Sequence, residues 1–264
     1  MLQTPVASTN LSSGELSALA ACIDSKFVFS YFSVHGQALT TRALLCVAGA
    51  DWEDNMIPLE TWSTEHKAKF PYGTIPVLHE QFPNGQVLEI CEIAAIEKYI
   101  AQKFHMVPDS LWDQVRHNEA LSLSESLFKL WIFRASPHMD HNAHVGILML
   151  LKTHTLPDYI HVMEKLLIKN GDNGHLVGDK FTHADVFTSV VLDYMISMRP
   201  LKDVLNKESA PRLFKLKSLV DAHLKYAAYR KSEAYAVASE GMNKRFSQGV
   251  FDIDFSRTFN LALE

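Results

Sequence analysis

The 264-residue chain reads as a small α/β unit followed by an all-helical unit. Three observations predict this. Apolar β-forming runs alternate with helical stripes between Lys26 and Phe104. The pair Asn84-Gly85 separates two apolar runs, which is the strongest short hairpin signal. Beyond Phe104 every periodic segment has the spacing of a helix, and strand patterns stop. The expected organisation is an arm over 1–25, the α/β unit over 26–104, the helical unit over 111–235 and an extension over 236–264.

Within the arm, Ser12 and Glu15 stand at capping-box spacing ahead of an apolar stretch and start a short helix. Residues 26–32 (KFVFSYF) are rich in β-formers and read as a largely buried first strand, which His35-Gly36 ends. Over 38–48 the apolar positions form a helical stripe with Gly49 as C-cap. A short second strand is expected over 52–58, a loop or loose helix over 62–69, hairpin strands over 75–80 and 86–90, and a helix over 92–102. The order is β-α-β, then β-β-α. A linker over 106–110 leads to helices over 111–133, 158–169, 183–198 and 212–229, with further helix over 221–239, punctuated by Pro137, Pro157, Pro200 and Pro211.

Composition narrows the function classes. A net charge of −5 without a run of basic residues disfavours nucleic acid and anionic membranes as partners. Apolar runs such as 145–151 fall far short of the roughly 20 residues a bilayer span needs. No Lys or Arg occurs in the first 24 residues, which excludes a basic leader. Three widely spaced cysteines, Cys22, Cys46 and Cys91, make neither a disulfide framework nor a zinc site, so a reducing, cytoplasmic setting is expected.

The segment Phe70-Pro71-Tyr72-Gly73-Thr74-Ile75-Pro76-Val77-Leu78 carries the most chemistry. A proline opening an apolar strand lacks the ladder N–H, so Pro76 belongs at a strand start or on an edge, and a cis bond before it fits such a place. The backbone of Ile75 is then available to an extended peptide guest. Thr182 and Asp185 form a second capping box, with Phe181 and Val186 as hydrophobic staple, and this motif is assigned to folding. His138, His141 and His144 have helical spacing, but their setting between a proline and an apolar run reads as a solvated loop, and no metal is expected.

Taken together, Tyr31-Phe32, Gly36, Arg42, Trp62, Lys67, the Pro71 to Pro76 segment, Glu92 with Ala95, Ile96 and Tyr99, and the 178–185 capping motif resemble the cytosolic glutathione S-transferase family, most of all its tyrosine-type, sigma-like classes. The resemblance covers roughly residues 26–235 and implies a thioredoxin-like first domain, glutathione as co-substrate, a small electrophile as second substrate, detoxification chemistry and a homodimer. Tyr31 matches the catalytic tyrosine that donates to the glutathione sulfur, with Ser33 as the fallback hydroxyl. Trp62 and Lys67 match positions at the glycine end of glutathione, with Lys69 as a substitute; Thr74, Ile75 and Pro76 match the backbone that pairs with its cysteinyl part.

Two positions depart from the family pattern. Ile93 follows Glu92 where the family places a serine for the γ-glutamyl carboxylate, and Gln37 stands where a basic residue is frequent. Glu119, beside Asn118, matches the acidic group that reaches a neighbouring subunit's γ-glutamyl amine. The electrophile pocket is expected between the units, around Phe32, His35, Phe128, Trp131 and Phe133. A non-catalytic ligand carrier or structural protein and a glutathione-dependent isomerase are the alternative readings.

Overall fold

The computed structural model describes residues 11–134 and 141–246. Four strands, β1 (Lys26–Phe32), β2 (Asp51–Ile57), β3 (Val77–Gln81) and β4 (Val87–Cys91), form one mixed sheet in the order β2-β1-β3-β4. β1 runs parallel to β2 and antiparallel to β3, and β3 is antiparallel to β4. Because β1 lies inside the sheet, Phe27, Val28, Phe29 and Ser30 are all buried, and burial along the strand is continuous rather than alternating. The helix α1 (Ser13–Ala20) precedes the sheet; α2 (Ala38–Ala48) and α3 (Ile93–Lys103) pack against each other, α3 also against β3 and β4, and α2 ends at Gly49 in the left-handed conformation that glycine adopts freely.

β3 is an internal strand, so the edge alternative for Pro76 is excluded. Pro76 instead sits immediately ahead of Val77, where both ladders of β3 begin, so its missing N–H costs no ladder bond. The Ile75–Pro76 peptide bond is cis.

The helical unit comprises α4 (Leu111–Arg134), α5 (His141–Leu150), α6 (Leu156–Lys169), α7 (His183–Ser197), α8 (Pro211–Asp221), α9 (Leu224–Tyr229) and α10 (Glu233–Phe246). α7 is buried on every side from His183 to Met195, as an apolar helix surrounded by others must be. Its start carries the expected capping box: Asp185 N–H donates to Thr182 Oγ1, and Thr182 N–H donates to Asp185 Oδ2 at 2.8 Å. Asp185 also accepts from the Leu176 amide, which fixes the incoming loop.

Several expectations are corrected. His141 and His144 lie on α5 rather than in a loop, because Ile147 and Leu148 pack on the core and carry the upstream turn into the helix; His138 lies outside the described residues. Among those residues no group of three His, Cys, Asp or Glu side chains comes together to hold a metal. The 212–229 helix is broken where His223 leaves helical geometry (φ −59°, ψ 124°). The extension expected from residue 236 is, as far as Phe246, the body of α10, which buries Ala238 and Met242; residues 247–264 lie outside the described residues, as do 1–10 of the arm and the Phe133 side chain. Among the described residues no helix is long and apolar enough to cross a membrane.

Two polar knots join the parts. Glu97 of α3, buried, accepts from Thr41 of α2 at 2.8 Å and from Thr40, and meets His183 Nε2 of α7 at 3.2 Å, tying the sheet unit to the helical unit. Lys103 donates to the carbonyls of Ala20 and Cys22 and pairs with buried Glu80 at 2.8 Å, pinning the end of the arm.

Candidate active site

The ladder registers bring the sequence candidates to one end of the sheet. Ser30 pairs with Val77, so Tyr31 lies level with Pro76; Val77 also pairs with Cys91, so Glu92 falls level with Pro76 on the other side. Phe32 pairs with Ile57, after which the chain turns toward Trp62. Ile75 precedes both β3 ladders. Thr74 is exposed and Ile75 half-buried, which leaves this backbone open to a guest strand.

Around it stand the other candidates. Trp62 packs edge-on against Phe32, with ring centroids 5.4 Å apart, and also against Phe70. Lys67 is exposed and its stem lies over Gly73, where an added Cβ would stand 3.4 Å from Cε. Lys69 is exposed as well. Glu92 is exposed and caps α3 with a positive φ of 69°; Ile93, half-buried, opens that helix without a side-chain cap. The first amides of α3 therefore face the same end of the sheet, where an anion is favoured. Gln37, half-buried, is the N-cap position of α2 and makes no side-chain capping bond.

The first loop, from Phe32 to Gly36, is held from behind. Fully buried Arg42 donates from Nη1 to the Val34 carbonyl at 2.6 Å and from Nη2 to that of Phe32 at 3.4 Å. Its Nε pairs with Asp54 at 3.0 Å, and Tyr229 donates to the same carboxylate. The guanidinium also lies 6.0 Å from the centroid of the Tyr31 ring. Tyr31 is half-buried, and its hydroxyl lies against Gly36, where an added Cβ would stand 3.3 Å from Oη. Ser33, the fallback, is half-buried, and its N–H donates to the Ile57 carbonyl.

The expected electrophile lining is different in the structure. His35 is fully buried: Ser239 spends its only hydrogen on the Tyr235 carbonyl, so His35 Nε2–H donates to Ser239 Oγ at 2.9 Å, while the Tyr235 ring packs tilted against the imidazole, centroids 4.4 Å apart. Burial, with Arg42 and Arg230 nearby, holds this imidazole well below the usual histidine range, and it is neutral. Phe128 and Trp131 are 5% and 2% exposed and pack, tilted, against Tyr194 in the core. A ring wedged between α4 and α7 cannot also face an open cavity, so of the four expected lining rings whose side chains are described, Phe32 alone stays partly exposed. An open depression of about 520 Å³, lined by Asp24, Lys26, Asp51 and Phe82, lies at the opposite end of the sheet from Tyr31. Glu119 is paired with Arg116 of its own helix at 2.7 Å, and Asn118 with His117.

Comparison with known proteins places this arrangement. The family model described as "Glutathione S-transferase, C-terminal domain" matches residues 146–233. A Caenorhabditis elegans protein named "Probable glutathione S-transferase" is 30% identical over 182 residues, covering 64% of this chain and 81% of that protein. The chain belongs to the glutathione S-transferase family. An S-crystallin of Nototodarus sloanii is 27% identical over 208 residues, covering 78% of this chain and 95% of its own. A solved sigma class member from Fasciola hepatica superposes with a TM-score of 0.66 at 20% identity over 86% of this chain and all of its own, a likeness of fold. The mixed sheet with a helical second unit is thus the family's fold.

Sequence reasoning missed the supports of the first loop: Arg42 behind it, Tyr194 on the Gly36 carbonyl, Met242 on the Gly36 amide, Ser239 on His35, and Gly241 against the Ser33 carbonyl. A lone arginine in an apolar helical stripe was the available signal for the first. The others are set by packing between distant segments.

Proposed function

We propose that this chain is a glutathione transferase: it binds glutathione at the Thr74 to Pro76 backbone and activates it as a thiolate at Tyr31. The thiol proton passes to solvent, and the thiolate sulfur forms a bond to an electrophilic carbon, whose leaving group departs with its electron pair. The observation that carries this reading is the common end of the sheet shared by Tyr31, Ile75, cis-Pro76 and Glu92. A free thiol has a pKa near 8.5 and is only a few per cent ionised at neutral pH; each unit of depression is worth about 1.4 kcal/mol. A hydroxyl donor at the sulfur supplies part of that depression. Trp62 and Lys67 serve the glycine end, Lys67 as a point charge for its carboxylate. The first amides of α3 serve the γ-glutamyl carboxylate in place of the serine that Ile93 lacks, and Glu92 lies beside them. Gln37 adds a polar contact without charge. The working form is a homodimer in the cytoplasm, with Glu119 reaching toward the partner's ligand.

The test is Tyr31→Phe assayed on a general aryl electrophile. At pH 7 the variant is expected to lose roughly tenfold to a hundredfold in kcat, one to two units of thiol ionisation, with glutathione binding little changed. Unchanged turnover moves the role to Ser33. Absence of glutathione binding to the wild-type chain at millimolar concentration favours the carrier reading.

A further inference from the structure

We propose that α10 is a positioning element for Tyr31, acting through Gly36; the proposal rests on the thiolate reading above. Gly36 has a left-handed φ of 44°, and a Cβ there would stand 3.3 Å from Tyr31 Oη, so the backbone at 36 is the wall on which the tyrosine hydroxyl rests. The helical unit holds that wall. The Gly36 carbonyl accepts from Tyr194 Oη of α7 at 2.6 Å, and the Gly36 N–H donates to Met242 Sδ of α10 at 3.3 Å. One residue earlier, His35 donates to Ser239 of the same helix.

The spacing between α10 and the loop is fixed by backbone. A Cβ on Gly241 would overlap the Ser33 carbonyl oxygen and come within 3.0 Å of Val34 Cγ1, so the helix approaches as closely as a glycine permits. Arg42 holds the carbonyls of Phe32 and Val34, and the Ala38 amide of α2 holds that of His35, whereas the Gly36 amide and carbonyl are met by Met242 and Tyr194. A shift of α10 therefore moves Gly36, and with it the hydroxyl that meets the sulfur. The glutathione contacts at Trp62, Lys67 and Ile75 belong to other segments and stay in place. Met242 and Gly241 are positioning residues.

Met242→Leu conserves volume and removes the sulfur acceptor, while Gly241→Ala adds a wedge and raises helix propensity, so a loss in the latter cannot come from a weaker helix. The readout is the ultraviolet absorbance of the thiolate of bound glutathione, titrated against pH on the full chain, with kcat and KM on an aryl electrophile. In both variants the thiol is expected to titrate at higher pH, kcat at pH 7 to fall roughly threefold to tenfold and recover in alkali, and the glutathione KM to change less than about twofold. Variants whose bound thiol titrates as in the wild type, with only the melting temperature lowered, overturn the proposal and make α10 mere packing. A wild-type chain whose bound glutathione never ionises overturns the thiolate reading itself, and the proposal with it.

Discussion

The two sides of the first loop are built in opposite ways. Toward the sheet end, Thr74, Lys67 and Glu92 are exposed and the Ile75 backbone precedes the ladders. Toward the helices, His35 and Arg42 are fully buried, and the loop's backbone is taken up by Arg42, Tyr194 and Met242. One side is left open for a guest, and the other is finished. The difference teaches that substitutions on the open side should change binding at constant stability, whereas those on the closed side should change stability and the tuning of Tyr31.

The largest expected effect is on the closed side. Arg42→Met leaves the Asp54 carboxylate, 7% exposed at its side chain, without its buried cation, and is expected to cost about 3–5 kcal/mol in denaturant unfolding. A loss below about 1 kcal/mol would show that the closed side is not held from within.

The next effect is in pH. His35 is neutral in the fold because burial lowers its pKa, and it takes up a proton on unfolding below about pH 6.5. The unfolded chain then binds the extra proton, so stability rises with pH through this window and falls as pH drops below it, by up to about 1.4 kcal/mol per unit for this one group. Arg42 and Arg230 lie near it, and both disfavour the charged imidazole. His35→Asn is expected to flatten the slope between pH 6.5 and 5 relative to wild type in thermal melts. An equal slope in both would assign the dependence to other groups, His117 first among them, since burial lowers its pKa as well.

On the open side, Ile93→Ser restores a hydroxyl at the first turn of α3. Glutathione affinity measured by calorimetry should rise by the worth of one hydrogen bond, about 0.5–1.5 kcal/mol, or roughly twofold to tenfold. Lys67→Ala is the smallest change: an exposed ion pair contributes at most about 1 kcal/mol, so glutathione binding should weaken by up to about fivefold, more at low salt, with an unchanged melting temperature.

How legible each side was follows from the range of the interactions that build it. Helix α2 with its Gly49 cap, the Asn84-Gly85 hairpin and the Thr182–Asp185 box are set by neighbours within a few residues, and all stand as expected. Tyr31, Ile75 and Glu92 were nameable because local pattern marks their places: the end of an apolar strand, the residue before a strand-opening proline, and the start of a helix. The closed side depends on segments some two hundred residues apart, such as Gly36 with Met242, and no local pattern encodes that meeting. The aromatic stripe of α4 carried the opposite risk: periodicity marked Phe128 and Trp131 as apolar, but could not say whether they faced a cavity or a neighbouring helix.

The Lys103 knot gives the molecule a polarity. It fastens the carbonyls of Ala20 and Cys22 beside Glu80, whose ladder partner is Phe27, near the start of β1, whereas Tyr31 lies at the other end of that strand. With Cys91→Ser removing the other partly exposed thiol, a fluorophore on Cys22 would therefore report whether the arm is seated while staying a full strand's length from Tyr31, an optical handle read in the same cuvette as turnover.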